Sequence, residues 1–256
     1  MTVLAATRVA AADLSVALKL GPYEARIGRS CDVMQDAFAL RRRTFAPQAL
    51  SDQDAFDHLS QHGIVTDART GQSLLAFRVR VLTGDINLGS TYTGQSYDLT
   101  PLRALTGPFL ELGRVCQDET LRDPLAWRLA WAALAALVDR HAVTLLIGCT
   151  SFKGADPDWH SAALGYLRSH HIGPRALLPR QISQSAIALP EAYGTRSDLP
   201  HLLQSYIGLG GWVSDHAVVD PTLDTVHVFT GLRIADISIA RKRRLRELAR
   251  RASLPT

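Results

Sequence analysis

Cysteine is scarce in this 256-residue chain: Cys31, Cys116 and Cys149 are the only three, and they stand far apart. Scattered thiols cannot form a disulfide framework, which points to a reducing compartment. No CxxC pair or Cys/His cluster suggests a metal site. Long apolar runs are also missing, and no stretch approaches the ~20 residues needed to cross a bilayer. Met1–Ala12 is alanine-rich and carries Arg8, but it lacks a charged start followed by a leucine-rich core. It reads as an extension rather than a secretion signal. There is no GxSxG elbow, no Walker A loop and no GxGxxG after a strand, which sets aside three familiar chemistries. His170-His171 comes without HExxH or matching carboxylates and reads as a helix-end pair.

Charge is modest in sum and uneven in place. The 28 Lys and Arg against 24 Asp and Glu leave +4. Much of the basic excess lies in Arg241-Lys242-Arg243-Arg244-Leu245-Arg246 and Arg250-Arg251, a short helical tail. That run is either a solvated helix end or a docking surface for an acidic protein or an anionic membrane. Nucleic acid is disfavoured, because no RRM-like aromatics, zinc finger or helix-turn-helix pattern accompanies the charge.

Periodicity and turn residues predict alternating elements. Tyr23–Ile27 is a strand and Cys31–Phe45 a helix. A polar loop, Ala46–Gln61, carries Asp52, Asp54, Asp57 and His58. Strands Gly63–Asp67 and Leu74–Leu82 are joined by a turn at Gly71. Gly84–Thr106 is an excursion with a short helix near Pro101–Leu105. There follow strand Phe109–Cys116, helix Pro124–His141, strand Val143–Cys149 and helix Asp158–Ser169. Strand Ala186–Leu189, helix Ser197–Leu209 and strands His216–Val219 and Thr225–Gly231 complete the order. That order fits an α/β (α+β) domain with a mixed, largely antiparallel sheet better than a doubly wound parallel one. The expected division is an extension over 1–20, one catalytic domain over 21–237 and a basic tail over 238–256.

The most informative feature is Glu111-Leu112-Gly113-Arg114, a carboxylate and an arginine three residues apart at the end of an apolar strand. The helix after it leads to a second apolar run that ends in Gly148-Cys149-Thr150-Ser151-Phe152-Lys153-Gly154. Strand, charged pair, helix, strand describes a site at strand ends. An acid that handles a proton beside an arginine that holds an anion suits acylation of an amine. Trp127 and Trp131, four apart on one helix, read as core. Cys149 reads as packing rather than a nucleophile, with no histidine clearly paired to it.

Six segments occur in order: Arg41-Arg-Arg43-Thr-Phe45, Asp57-His58-Leu59, Phe77-Arg78-Val-Arg80, Glu111-Leu-Gly-Arg114-Val-Cys116, Gly148-Cys149-Thr-Ser-Phe152-Lys-Gly154 and Ala217-Val-Val-Asp220. Together they resemble the ornithine–acyl carrier protein N-acyltransferases of bacterial lyso-ornithine lipid synthesis, over roughly Tyr23 to Ile237. A more distant similarity, through Arg41, Phe45, the acidic loop, Glu111 and Arg114, runs to acyl-homoserine lactone synthases. Both resemblances imply a GNAT-like acyltransferase fold. They imply an enzyme that moves a (3-hydroxy)fatty acyl group from acyl carrier protein to the α-amine of an amino acid. The donor is then a phosphopantetheine thioester, with no further cofactor. The alternatives are a homoserine lactone synthase-like enzyme and a non-catalytic acyl-binding module of the same fold. Place of work would be the cytoplasm, peripheral at the inner membrane face if the basic tail binds lipid.

The chain departs from the pattern in three places. The glycine-rich loop with which GNAT acetyltransferases cradle CoA pyrophosphate is absent. Gln117–Ala126 stands there, with Asp118, Glu119 and Asp123 to repel a free pyrophosphate. Gly208 replaces a basic residue and His227 an aspartate, which leaves ornithine first and glutamine close behind.

Site roles follow from the chemistry. Glu111 is the expected base, directly or through water, unless it only pairs with Arg114. Arg114 would hold the substrate carboxylate or the acyl 3-hydroxyl. Asp57 and His58 form a second polar wall, or else a helix cap and a bystander. Arg41 and Arg43 close over the donor or clamp Asp57, and Phe45 is core or acyl-tunnel lining. Arg78 and Arg80 alternate with apolar residues on one face of their strand, and either would meet the carboxylates of the acidic loop. Ser151 and Lys153, with Cys149 and Phe152 beside them, are expected beyond a strand end near the pantetheine arm, or as loop caps.

Overall fold

A computed structural model describes residues 15–46, 50–84 and 88–252. The alanine-rich stretch Met1–Ala12 lies outside the described residues. Strands β1 (Val16–Leu20) and β2 (Tyr23–Gly28) form a hairpin, and helix α1 (Cys31–Phe45) follows. Next come β3 (Gln61–Asp67) and β4 (Ser73–Leu82), then the two-residue β5 (Tyr97–Asp98) inside the Gly84–Thr106 excursion. Strand β6 (Phe109–Gln117), helix α2 (Pro124–Arg140) and β7 (Leu145–Lys153) make the central unit. Helix α3 (Ser161–His170), β8 (Arg180–Gln181), β9 (Ala186–Ala188) and α4 (His201–Leu209) lead to the last hairpin. That hairpin is β10 (Trp212–Asp220) and β11 (Thr225–Arg233), and helix α5 (Ile239–Ala252) closes the chain.

Among the described residues, nine strands form one sheet in the order β1-β2-β3-β4-β6-β7-β11-β10-β9, while β5 and β8 pair apart. All its strand pairs are antiparallel except β6 with β7, which α2 connects as a crossover. The mixed, mostly antiparallel sheet flanked by helices is the GNAT-like architecture expected of the sequence. Two boundaries differ from expectation. Val16–Leu20, assigned to an extension, is the edge strand and pairs Val16 with Ile27 through Leu20 with Tyr23. The basic run, assigned to a helical tail outside the domain, is helical but belongs to the domain, because Leu248, Ala249 and Ala252 of α5 join the core over α2.

Helix α2 starts where its sequence says it should. Asp123 accepts from the Leu125 N–H at 2.8 Å, and Pro124 occupies the first turn, where it lacks no needed donor. Its apolar side, Ala126, Leu129, Ala133 and Leu137, packs on Leu110, Leu112 and Leu146 of the sheet. Phe152, Val226 and Val228 cover α3 on that same face. The other face carries α1, through Val33, Ala37 and Leu40 against Ile64 and Ala76, and the 88–105 excursion around Tyr97 and Leu102. Among the described residues no helix is long and apolar enough to cross a membrane.

Candidate active site

Strands β6 and β7 pair only from Phe109 with Leu145 to Glu111 with Ile147, and then diverge. At the point of parting, Gly148 lies so close to β6 that a Cβ on it would stand 2.4 Å from the Leu112 carbonyl oxygen. Beyond it β6 bulges: its register against β4 shifts between Ala76 and Arg78, and Arg114 takes the left-handed φ of 49°. The divergence opens a cleft of about 300 Å³. Phe45, Tyr92, Leu112, Trp127, Tyr206 and Leu223 give it an apolar wall. Among the described residues lining it, Arg114 is the only arginine and Asp220 the only carboxylate, and His201 and His227 add two imidazoles.

Glu111 sits beside this cleft, not on its lining. It is buried, and Oε1 accepts from the Thr93 N–H at 2.8 Å and the Thr93 hydroxyl at 2.7 Å. Oε2 has no hydrogen-bond partner among the described residues. The alternative of a Glu111–Arg114 ion pair is not what forms. Arg114 turns to the acidic loop instead, with Nη2 donating to Asp54 at 3.0 Å and Nη1 3.7 Å from Asp52.

That loop is held by three arginines against three aspartates. Arg41, wholly buried, donates from Nε to Asp52 at 2.8 Å and from Nη1 and Nη2 to Asp57 at 2.6 and 3.0 Å. Arg78 donates to Asp54 at 2.5 Å and to Asp57 at 3.0 Å. Aromatic rings cover the guanidinium groups: Phe38 over Arg41, Phe56 and Tyr92 over Arg78, Phe45 and Tyr92 over Arg114. Burial opposes charge on Asp57, yet Arg41 and the Asp54 N–H together bring it down to about 2. Asp57 is therefore an ionised latch and not a proton acceptor for substrate. His58 is exposed, so the wall expected of Asp57 and His58 does not form. His62, not among the expected site residues, is the histidine packed at Asp57, with Nε2 3.3 Å from its carbonyl oxygen.

The remaining expected residues divide. Phe45, Arg114, Cys149 and Ser151 line the cleft. Ser151 and Lys153 lie inside β7 and not beyond its end, because the polar residues after Cys149 continue the pairing with β11. Phe152 points to the opposite face and packs with α3. Arg43 is exposed and reaches Asp118 at 3.4 Å, and Arg80 donates to the Ser90 carbonyl at 3.3 Å. Burial pushes the Cys149 thiol well up, and Glu111 and Asp220 add repulsion, so it stays a thiol. Tyr92 and Thr93 were hidden in a Gly/Thr/Ser-rich stretch with no periodic signal. Among the described residues no group of three His, Cys, Asp or Glu is placed to hold a metal ion.

The start of α2 is capped by its own carboxylate. Asp123 occupies its first free N–H and accepts from Tyr23 at 3.0 Å, and Asp118 turns its carboxylate onto Thr120 and Gln72.

Residues 36–132 match the model of the acetyltransferase (GNAT) domain family. The chain is 33% identical over 227 residues to the L-ornithine N(alpha)-acyltransferase of Rhodobacter capsulatus, covering 80% of this chain and 88% of that one. It is 28% identical over 260 residues to the enzyme of the same name from Brucella abortus, covering 88% and 89%. The solved structure of FeeM, an N-acyl amino acid synthase from uncultured soil microbes, superimposes with a TM-score of 0.52 at 11% identity. That match covers 86% of this chain and 97% of the other, and it bears on the fold alone.

Proposed function

The chain belongs to the L-ornithine N(alpha)-acyltransferase family, and from that we propose that it transfers a (3-hydroxy)fatty acyl group from acyl carrier protein to the α-amine of ornithine. The polarity of the cleft carries the reading: apolar walls, with one arginine and one carboxylate among the described lining residues. The apolar wall suits the acyl chain. Arg114, the arginine on the described lining, would hold the α-carboxylate. Asp220 has Oδ1 fixed by the Thr222 and Leu223 N–H groups and Oδ2 free for a side-chain ammonium. That carboxylate favours ornithine over glutamine, whose side chain brings no charge. Glu111 Oε2 would draw in the α-ammonium and take its first proton, directly or through a water.

The carboxylate-capped helix start supports a donor whose phosphopantetheine arrives on a carrier protein. A free pyrophosphate would meet Asp118 and Asp123 where a cradling loop offers N–H groups. The unpaired edges of β6 and β7 past Glu111 and Ile147 offer backbone groups to an extended pantetheine arm. The exposed arginines of α5 would dock the carrier protein.

The test is a purified assay with 3-hydroxyacyl carrier protein and either ornithine or glutamine, read by mass spectrometry. N-acylornithine is the expected product. Asp220→Asn should lower kcat/KM for ornithine about 10- to 100-fold, the worth of one charged hydrogen bond, and spare glutamine. A wild-type protein that acylates neither amino acid would overturn the reading.

A further inference from the structure

Amide formation strips two protons from an α-ammonium group, since three N–H bonds become one. One proton ends on the sulfur of the leaving thiol and the other in solvent. If acyl transfer is the reaction, Glu111 accounts for one transfer, and a second acceptor facing the reacting nitrogen would carry the other. We propose that His227 Nε2 is that acceptor, and that it returns the proton to the departing thiolate.

His227 stands on β11 opposite Ser151 of β7, buried, with its ring on the cleft wall. The Tyr97 hydroxyl oxygen lies 3.0 Å from the His227 carbonyl oxygen and 3.1 Å from its Nδ1. In the proposed state the hydroxyl donates to that carbonyl, which can only accept, and Nδ1–H donates to the tyrosine oxygen. This fixes the Nδ1–H tautomer and leaves the lone pair on Nε2, which has no partner among the described residues. The frame is rigid: Tyr97 is wholly buried, edge-on to His227 and to Phe229, with ring centroids 5.6 and 6.0 Å apart.

The titratable groups around the ring are Tyr97 of β5, Cys149 of β7, and Asp220 and His216 of β10, with Tyr92 on the same cleft wall. Burial lowers the imidazole to about 4; Asp220 opposes that shift and His216 reinforces it. The base is therefore free at neutral pH, and once protonated it gives the proton up readily. In the transfer, the nitrogen lone pair bonds to the thioester carbonyl carbon while one N–H proton moves to Nε2. The C–S pair then leaves with sulfur, which takes the proton back from Nε2.

The deciding variant is His227→Asn, whose amide N–H replaces Nδ1–H toward Tyr97 while the Nε2 lone pair is lost. Its kcat should fall about 10²- to 10⁴-fold, the usual contribution of a general base, with KM for ornithine and the melting temperature little changed. Imidazole in solution should restore part of the rate of His227→Ala and leave the wild type unaffected. A folded His227→Asn enzyme with near wild-type kcat, or His227→Ala that imidazole does not rescue, overturns the proposal alone. Failure of the wild type to acylate any amino acid overturns the acyl-transfer reading instead. If His227→Asn does not fold, Tyr97→Phe carries the test: it frees the tautomer, so kcat should drop at unchanged KM, and an unchanged kcat overturns the role.

Discussion

Arg41 exposes none of its surface, and a lone guanidinium there would be untenable; Asp52 and Asp57 make it stable by answering its fork from two sides. Removing one partner should therefore cost more than the pair is worth. Asp57→Asn keeps the side-chain shape, leaves Arg41 only Asp52 and Arg78 only Asp54, and should lower stability by about 3–5 kcal/mol in urea unfolding. The pH dependence has a definite sign. Asp57 lies at about 2 in the folded protein, below its unfolded value near 4. Its contribution is complete above pH 4 and fades as pH falls through 2. An acid titration should show that loss in the wild type and less of it in Asp57→Asn; equal acid sensitivity would remove Asp57 from the latch. At this scale the sequence told much about residue type and less about partners. The acidic loop and the arginines of α1, β4 and β6 stood out as charge in apolar context. Which arginine met which aspartate was settled by the loop crossing over α1 and β4, a long-range event that spacing does not encode. His58 drew notice through its neighbour Asp57, and the buried His62 did not, because it fell between the expected loop and the expected strand.

The cleft is an element-scale object, made by two parallel strands that stop pairing. Gly148 allows it, since any side chain there meets the Leu112 carbonyl at the last point where β6 and β7 touch. Gly148→Ala should push the strands apart at their junction, cost about 1–3 kcal/mol as an overpacked site does, and reduce turnover by altering the cleft. Thermal unfolding and kcat/KM measured together check this, and an unchanged melting temperature would mean that the junction tolerates the methyl group. Helices were the most legible elements. Cys31–Phe45 was bounded by its own pattern, with Asp32 in the first turn and Arg42 and Arg43 in the last. Strand ends were less so. β7 runs to Lys153 because Thr150 and Phe152 face the core while Ser151 and Lys153 do not, an alternation that looked like a polar loop after the apolar run Val143–Cys149. Strand β1 had its signal in Val16, Leu18 and Leu20 before the Gly21-Pro22 turn, masked by the alanine-rich stretch ahead of it.

Over the whole molecule the excess positive charge is concentrated on one helix. α5 seats Leu248, Ala249 and Ala252 on the core, an apolar side that its arginines obscured in the sequence. Arg246 is taken by Asp139 of α2 at 2.6 Å, and Arg250 and Arg251 by Glu247. Arg241, Arg243 and Arg244 remain exposed and without an ion pair among the described residues. Three unneutralised guanidinium groups on a docked helix form a fixed basic surface. As the proposed dock for an acidic carrier protein, that surface acts before the chemistry and leaves it untouched. Attraction of this kind weakens as the Debye length falls from ~10 Å at 0.1 M salt to ~3 Å at 1 M. Replacing Arg241, Arg243 and Arg244 by Gln should raise KM for acyl carrier protein, flatten its salt dependence and leave kcat alone. A small acyl-pantetheine thioester, which needs no docking, should be used equally well by both proteins. If KM holds and binding to anionic vesicles is lost instead, the surface faces lipid; if neither moves, α5 is a solvated helix whose charge serves only solubility.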